Sequence, residues 1–202
     1  MTMMKLLAGT VCGLVFATAV FAENAADVGS VRLKGYLGGR LDAMIERHVA
    51  GNDVDYITAC FREKTETKGW WQTEFWGKWM HSAVPYAAYA DSEALKAKID
   101  RGIDRILASQ EPSGYIGNYP DELRCGEGWD VWGMKYSLMG LLHYYDGTRS
   151  RSKVEVEKGD RALNAAMRLC DYVIAEIGPA GNAWSRDNYY RTWFPVELDS
   201  RR

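Results

Sequence analysis

Trp70-Trp71-Gln72-Thr73-Glu74-Phe75-Trp76-Gly77-Lys78-Trp79-Met80-His81-Ser82-Ala83-Val84-Pro85-Tyr86-Ala87-Ala88-Tyr89 is the stretch that decides the fold. Wound as a helix it is apolar on most sides, as a helix enclosed by other helices must be. Pro85 is expected to kink or divide it. Asp91 reads as the N-cap of the next helix, with Glu93 favoured by its dipole. That helix carries Leu95, Ile99, Ile103, Ile106 and Leu107 on one face and stops at Gln110-Glu111-Pro112-Ser113-Gly114.

The same alternation continues downstream. A long apolar helix spans Asp130 to Tyr145 and ends at Asp146-Gly147; Arg149 to Lys158 is charged and reads as loose chain. An amphipathic helix then runs from Asp160 to Ile177 on Leu163, Ala166, Cys170, Val173 and Ile174, closed by Gly178-Pro179. Ile103, Ile106, Leu107 and Ala108 fall on Cys170, Val173, Ile174 and Ala175 at a shift of 67 positions, which suggests stacked hairpins of inner and outer helices. Upstream, Leu37, Leu41, Met44, Ile45 and His48 mark a helix from Gly35 to Ala50, a second helix covers Asp55 to Phe61, and Lys64 to Lys68 is a polar loop. The fold class is all-α. Closing a six-hairpin ring takes about 12 helices, and five or six are expected here, so the expectation is either an open array of hairpins or the front part of a larger protein whose toroid is incomplete in this chain.

Residues 1–22 have the parts of an export signal: Lys5, an apolar run from Leu6 to Phe21, and Val20-Phe21-Ala22 before a cut. Without Lys5 the 25 basic residues become 24 against 27 acidic ones, so no basic face for nucleic acid or an anionic membrane is expected. The remaining 180 residues suffice for one core. Cys60, Cys125 and Cys170 are odd in number and show no metal-type spacing; buried thiols are the expectation.

Three clusters could carry chemistry. The first holds four of the 8 tryptophans, with Glu74 and Lys78 at i and i+4 on one helix face. Trp71, Glu74, Trp76 and Lys78 are its candidates. Flat sugar faces stack on indole while hydroxyls bond carboxylates and amines. Packing between helices with an ordinary ion pair is the alternative reading. The second is Ser113 to Pro120, where Tyr115 and Tyr119 can face a ligand from a glycine-rich turn. The third is Gly128 to Tyr136, with Asp130 as helix cap or ligand group and Trp132, Lys135 and Tyr136 sharing a face. Glu74, Asp121, Glu122, Glu127 and Asp130 are the carboxylates placed for acid–base work. His48, His81 and His143 sit in no motif, and His48 and His143 read as packed or capping residues near helix ends. No phosphate loop, H-E-x-x-H or G-x-S-x-G is present.

Val31 to Leu37 leading into a helix, then E-F-W-G-K-W, S-Q-E-P-S-G-Y-I-G-N-Y and W-D-V-W-G-M-K-Y-S-L-M-G-L-L-H-Y-Y, come in an order that resembles glycoside hydrolase family 127 over about residues 30 to 178. The resemblance implies an α/α toroid followed by β-sandwich domains, and hydrolysis of terminal arabinofuranose or related sugars. It also implies a cysteine nucleophile among zinc-binding Cys and Glu residues in the later half of the toroid. Cys60, Cys125 and Cys170 do not match that pattern, so neither nucleophile nor zinc is carried over.

The expectation is therefore an exported, periplasmic or extracellular glycoside hydrolase, or its leading part, with a carbohydrate as partner and no cofactor or metal held by this chain. Residues 23–178 would form a partial toroid, and 179–202 a divergent tail from a truncated or frameshifted frame. The rival readings are a non-catalytic exported glycan-binding protein and a toroid lyase or uronyl hydrolase, which would hold a uronate with arginine or tyrosine.

Overall fold

The computed structural model describes residues 27–64, 71–125, 129–149 and 152–177. The export-signal reading, Glu127 and the divergent-tail reading lie outside them. Among the described residues the chain is all-α, without a strand: α1 Gly35–Met44 passing into a π-helical turn at Ile45–Val49, α2 Val54–Glu63, α3 Thr73–Ala90, α4 Glu93–Ser109, α5 Asp130–Thr148 and α6 Lys153–Ile177. Single 3-10 turns lie at Val28–Ser30 and Asp121–Leu123. No helix of the described residues is long and apolar enough to cross a membrane.

Several boundaries differ from the sequence reading. Asp91 is not an N-cap; it closes α3 in the left-handed region at φ 47°, and Ser92 caps α4 by accepting from the Leu95 N–H at 3.2 Å. Two adjacent polar residues divide the work of ending one helix and starting the next. Pro85 does not divide α3, because enclosure between neighbouring helices offsets the roughly 3 kcal/mol that an interior proline costs. α5 runs through Asp146-Gly147 to Thr148, and α6 starts at Lys153 rather than Asp160. Ser152 caps α6: its hydroxyl accepts from the Glu155 N–H at 3.4 Å, and the Glu155 carboxylate accepts from the Ser152 N–H at 3.1 Å.

α3 and α5 lie side by side, α4 and α6 pack outside them, and α2 packs on α4 and α3. The closest approaches along the seam pair Thr73 with Gly133, Gly77 with Tyr136, Trp76 with Gly140, and Val84 with Gly147. From Thr73–Gly133 at one end of the seam to Val84–Gly147 at the other the numbers increase on both helices, so the two inner helices are parallel and their N-termini share one end. A methyl group at Gly77 would overlap the Tyr136 carbonyl, and one at Gly140 would enter the Trp76 ring. Glycine sits there because the backbones meet.

Trp76, Met80, Ile103, Ile106, Leu141 and Leu169 are fully buried between the layers. The buried set Thr73, Trp76, Gly77, Met80, Ala83, Val84 and Ala87 of α3 recurs on α5 as Asp130, Gly133, Met134, Ser137, Gly140, Leu141 and Tyr144, 57 positions on. Ile99, Gly102, Ile103 and Ile106 of α4 recur on α6 as Ala162, Ala165, Ala166 and Leu169, 63 positions on. The hairpin repeat exists, but the 67-residue register does not: Cys170 is exposed and Ile174 is 67% exposed. Cys125 is buried and Cys60 half-buried.

Gly77→Ala should destabilise the protein by about 1–3 kcal/mol through overpacking, although alanine is the better helix former. Gly39→Ala, where an added methyl would meet nothing within 4 Å, should be neutral or stabilising by up to about 1 kcal/mol. Urea unfolding midpoints check the pair; equal effects would show that the seam is not tight.

Candidate functional site

The shared end of α3 and α5 carries a row of aromatic rings. Trp71 precedes α3, Trp129 caps α5, and Trp132 and Tyr136 follow on the first two turns of α5. Successive ring centroids lie 6.0 Å apart for Trp71–Trp129, 5.9 Å for Trp129–Trp132 and 5.4 Å for Trp132–Tyr136, each pair edge-to-face. Trp71 and Trp129 are 47% and 37% exposed, so ring faces remain open to solvent.

Glu74 lies in the first turn of α3, where the helix dipole favours its charge. It is 7% exposed and fully engaged: Lys78 Nζ donates to one carboxylate oxygen at 2.9 Å, and Trp132 Nε1 donates to the other. The hydrogen bond to Glu74 raises the Lys78 pKa above the usual lysine range, with burial opposing and the Glu74 charge reinforcing it. Lys135 Nζ sits 3.5 Å from the Trp132 ring centroid and 4.2 Å from that of Tyr136. Lys78 Nζ is 5.2 Å from the same Tyr136 ring. Trp71, Glu74, Lys78, Trp132, Lys135 and Tyr136 are thus brought together, and the i to i+4 spacings do it. The strip offers ring faces, two ammonium groups and one oriented carboxylate.

The other candidates point inward. Trp76 is fully buried, its ring edge-to-face with Phe61 at 6.0 Å and packed on Gly140, so it is core and presents no face to a ligand. Tyr115, Tyr119 and Asp130 are also buried and form a network in place of the ligand contacts expected of them. Tyr115 Oη donates to Asp130 at 2.6 Å and accepts from the Tyr119 N–H at 3.0 Å. The Cys125 N–H donates to Asp130 at 3.1 Å, and the Trp129 N–H donates to Tyr119 Oη at 2.9 Å. Asp130 therefore positions the start of α5, and with it Trp129.

Beneath this network, Arg124 stacks 3.7 Å from the Tyr115 ring centroid and makes a two-pronged pair with Glu111 at 2.7 and 2.8 Å. Burial pushes the Glu111 carboxyl up, but Arg124 and Lys64 outweigh it and hold the group below its ordinary value. Burial, aided by the Asp130 charge, pushes the Cys125 thiol up to about 12, so it is not a thiolate at neutral pH. Asp121 and Glu122 are exposed on the 3-10 turn.

Sequence reasoning missed Lys64, Glu111 and Arg124, whose pairing depends on the loop path. It also missed the contact of His81 with His143. Their ring nitrogens are 2.6 Å apart across the α3–α5 seam, inside both helices rather than near an end. Burial and the neighbouring His81 hold His143 below the usual histidine value. His48 is exposed in the π-helical turn.

The two parallel inner helices thus carry, at their shared end, aromatic rings beside fixed charges. Residues 38–191 match the family of the β-L-arabinofuranosidase catalytic domain, GH127. A non-reducing end β-L-arabinofuranosidase of Bifidobacterium longum subsp. longum is 26% identical over 162 residues, covering 72% of this chain and 24% of that protein. No solved structure matches. The chain belongs to the GH127 catalytic-domain family, and it spans about a quarter of the length of this curated relative. Among the described residues no three of His, Cys, Asp and Glu converge on a point that could hold a metal, so they do not fit the zinc centre that the resemblance implies.

Burial holds the Asp130 carboxyl above its ordinary value, against the pull of the Tyr115 and Cys125 hydrogen bonds. A carboxyl that keeps its proton better folded than unfolded costs stability as pH rises from about 3.9 through its raised value. The wild type should lose stability relative to Asp130→Asn across that window. Guanidinium unfolding between about pH 4 and 8 measures the difference; parallel pH profiles would refute the assignment.

Proposed function

We propose that this chain forms a sugar-binding wall of an exported glycoside hydrolase acting on terminal arabinofuranose or a related furanose. The observation that carries the reading is Glu74, fixed between Lys78 and the Trp132 indole beneath the Trp71–Trp129–Trp132–Tyr136 row. The rings take the CH faces of the sugar, Lys78 and Lys135 take its hydroxyls, and the buried Glu74 holds Lys78 and the Trp132 indole in place. Family membership supports a carbohydrate as the ligand.

Glycosidic cleavage uses two groups on opposite sides of the sugar. Glu74 is the carboxylate hydrogen-bonded to the strip, and it serves as one of them or as the group that orients the sugar. The partner group belongs to the rest of the family domain, so hydrolysis is assigned to the whole protein. The leader-like pattern of residues 1–22 supports export.

Glu74→Gln and Trp132→Ala should each weaken binding of methyl L-arabinofuranoside about ten- to hundredfold, the range for losing a charge-assisted hydrogen bond. Tryptophan fluorescence titration reads this, and unchanged affinity in both variants sinks the site. N-terminal sequencing of the protein made in a secreting host should begin at Glu23. Retention of Met1 in the cell-associated protein would exclude export.

A further inference from the structure

A groove of 710 Å³ lies between α2 and the start of α3, and its lining includes Tyr56, Cys60, Glu63, Trp71, Gln72 and Phe75. Its rings are conspicuously open: Tyr56 is 80% exposed, Phe75 49% and Trp71 47%. Aromatic side chains left so exposed lose the burial that would otherwise stabilise them. Ile57 and Ala59 add to this apolar lining, and Glu63 and Gln72 interrupt it with polar groups.

The polar groups are set for hydroxyls. Asn118 is 1% exposed and its side-chain amide donates to Gln72 Oε1 at 3.4 Å, which fixes the Gln72 head and leaves its NH₂ as a donor. Glu63 is paired with Arg62 at 3.2 Å, so it supplies an acceptor within a pair of no net charge, which suits a neutral ligand. Trp71 belongs both to the groove and, through its edge-to-face contact with Trp129, to the strip above Glu74. The two surfaces are therefore continuous.

We propose that this groove is a second subsite, which holds the neighbouring residues of a neutral oligosaccharide whose end lies at the Glu74 strip. The proposal rests on the carbohydrate reading of that strip. It makes the protein selective for chains over single sugars, with Tyr56 and Phe75 as stacking platforms and Glu63 and Gln72 as the hydroxyl partners.

The test uses the full chain with a β-linked L-arabinofuranosyl hexaose and with methyl β-L-arabinofuranoside, titrated calorimetrically. The wild type should bind the hexaose more tightly than the monosaccharide. Tyr56→Ala combined with Phe75→Ala should weaken the hexaose about tenfold or more and leave the monosaccharide unchanged. Both residues are exposed, so the far-ultraviolet circular dichroism should not move. Hexaose binding that is no tighter than monosaccharide binding, or that is indifferent to the double substitution, overturns the groove while the strip stands. A hexaose affinity lost in the double variant but kept in Trp132→Ala upholds the groove and overturns the strip. Failure of the wild type to bind either sugar overturns both.

Discussion

Where α3 and α5 run side by side, the Gly77 backbone lies against the Tyr136 carbonyl, and Gly140 and Gly147 admit the Trp76 ring and the Val84 side chain. Two parallel helices held this closely cannot slide, because each glycine contact fixes the axial register within a turn. That register sets the height of Trp132 against Glu74. A shift of one turn, about 5.4 Å, would break the bond from Trp132 Nε1 and carry Lys135 away from its place. The functional strip is thus a consequence of interior packing.

A second constraint fixes where α5 begins. Asp130 accepts from Tyr115 and from the Cys125 N–H, while Tyr119 Oη accepts from the Trp129 N–H. Buried in this way, the carboxyl costs stability as a charge and returns it as an acceptor of two hydrogen bonds. Glu111 and Arg124 close the network from below, with Lys64 as a second cation at 3.1 Å. Trp129 is thereby held by its backbone N–H as well as by its ring contacts with Trp71 and Trp132, and it stays 37% exposed.

Much of this was legible in the spacing of apolar residues. The periodicity of Leu95, Ile99, Ile103 and Ile106 reports the buried face of α4 because those side chains fill an ordinary helix–helix gap. The same reasoning fails on α6, whose buried face is Gly159, Ala162, Ala165, Ala166 and Leu169, with Tyr172 beyond them. Close approach there selects small residues, and the larger Ile174 and Met167 are left outside at 67% and 56% exposure. Trp76 and Trp132 show the matching limit in the site. Both are tryptophans on inner helices, yet one is core and the other lines the strip, and only the seam register separates them. The i to i+4 placement of Glu74 with Lys78 and of Trp132 with Tyr136 was readable, because it needs no knowledge of the partner helix.

The distribution of the aromatic residues carries the last step. A chain with a core as closely packed as this one has room for Trp76, Tyr115, Tyr119 and Tyr144, all buried. It leaves Tyr56, Trp71, Phe75 and Trp129 partly or largely in water, and three of these line one groove while Trp71 and Trp129 join it to the strip. Scattered exposed rings need no explanation, but rings joined edge to face across two helices form a surface. Such a surface, with the Glu74–Lys78 pair at one end and the Glu63–Arg62 pair at the other, suits a ligand with apolar faces and hydroxyl groups. It suits a long one better than a short one.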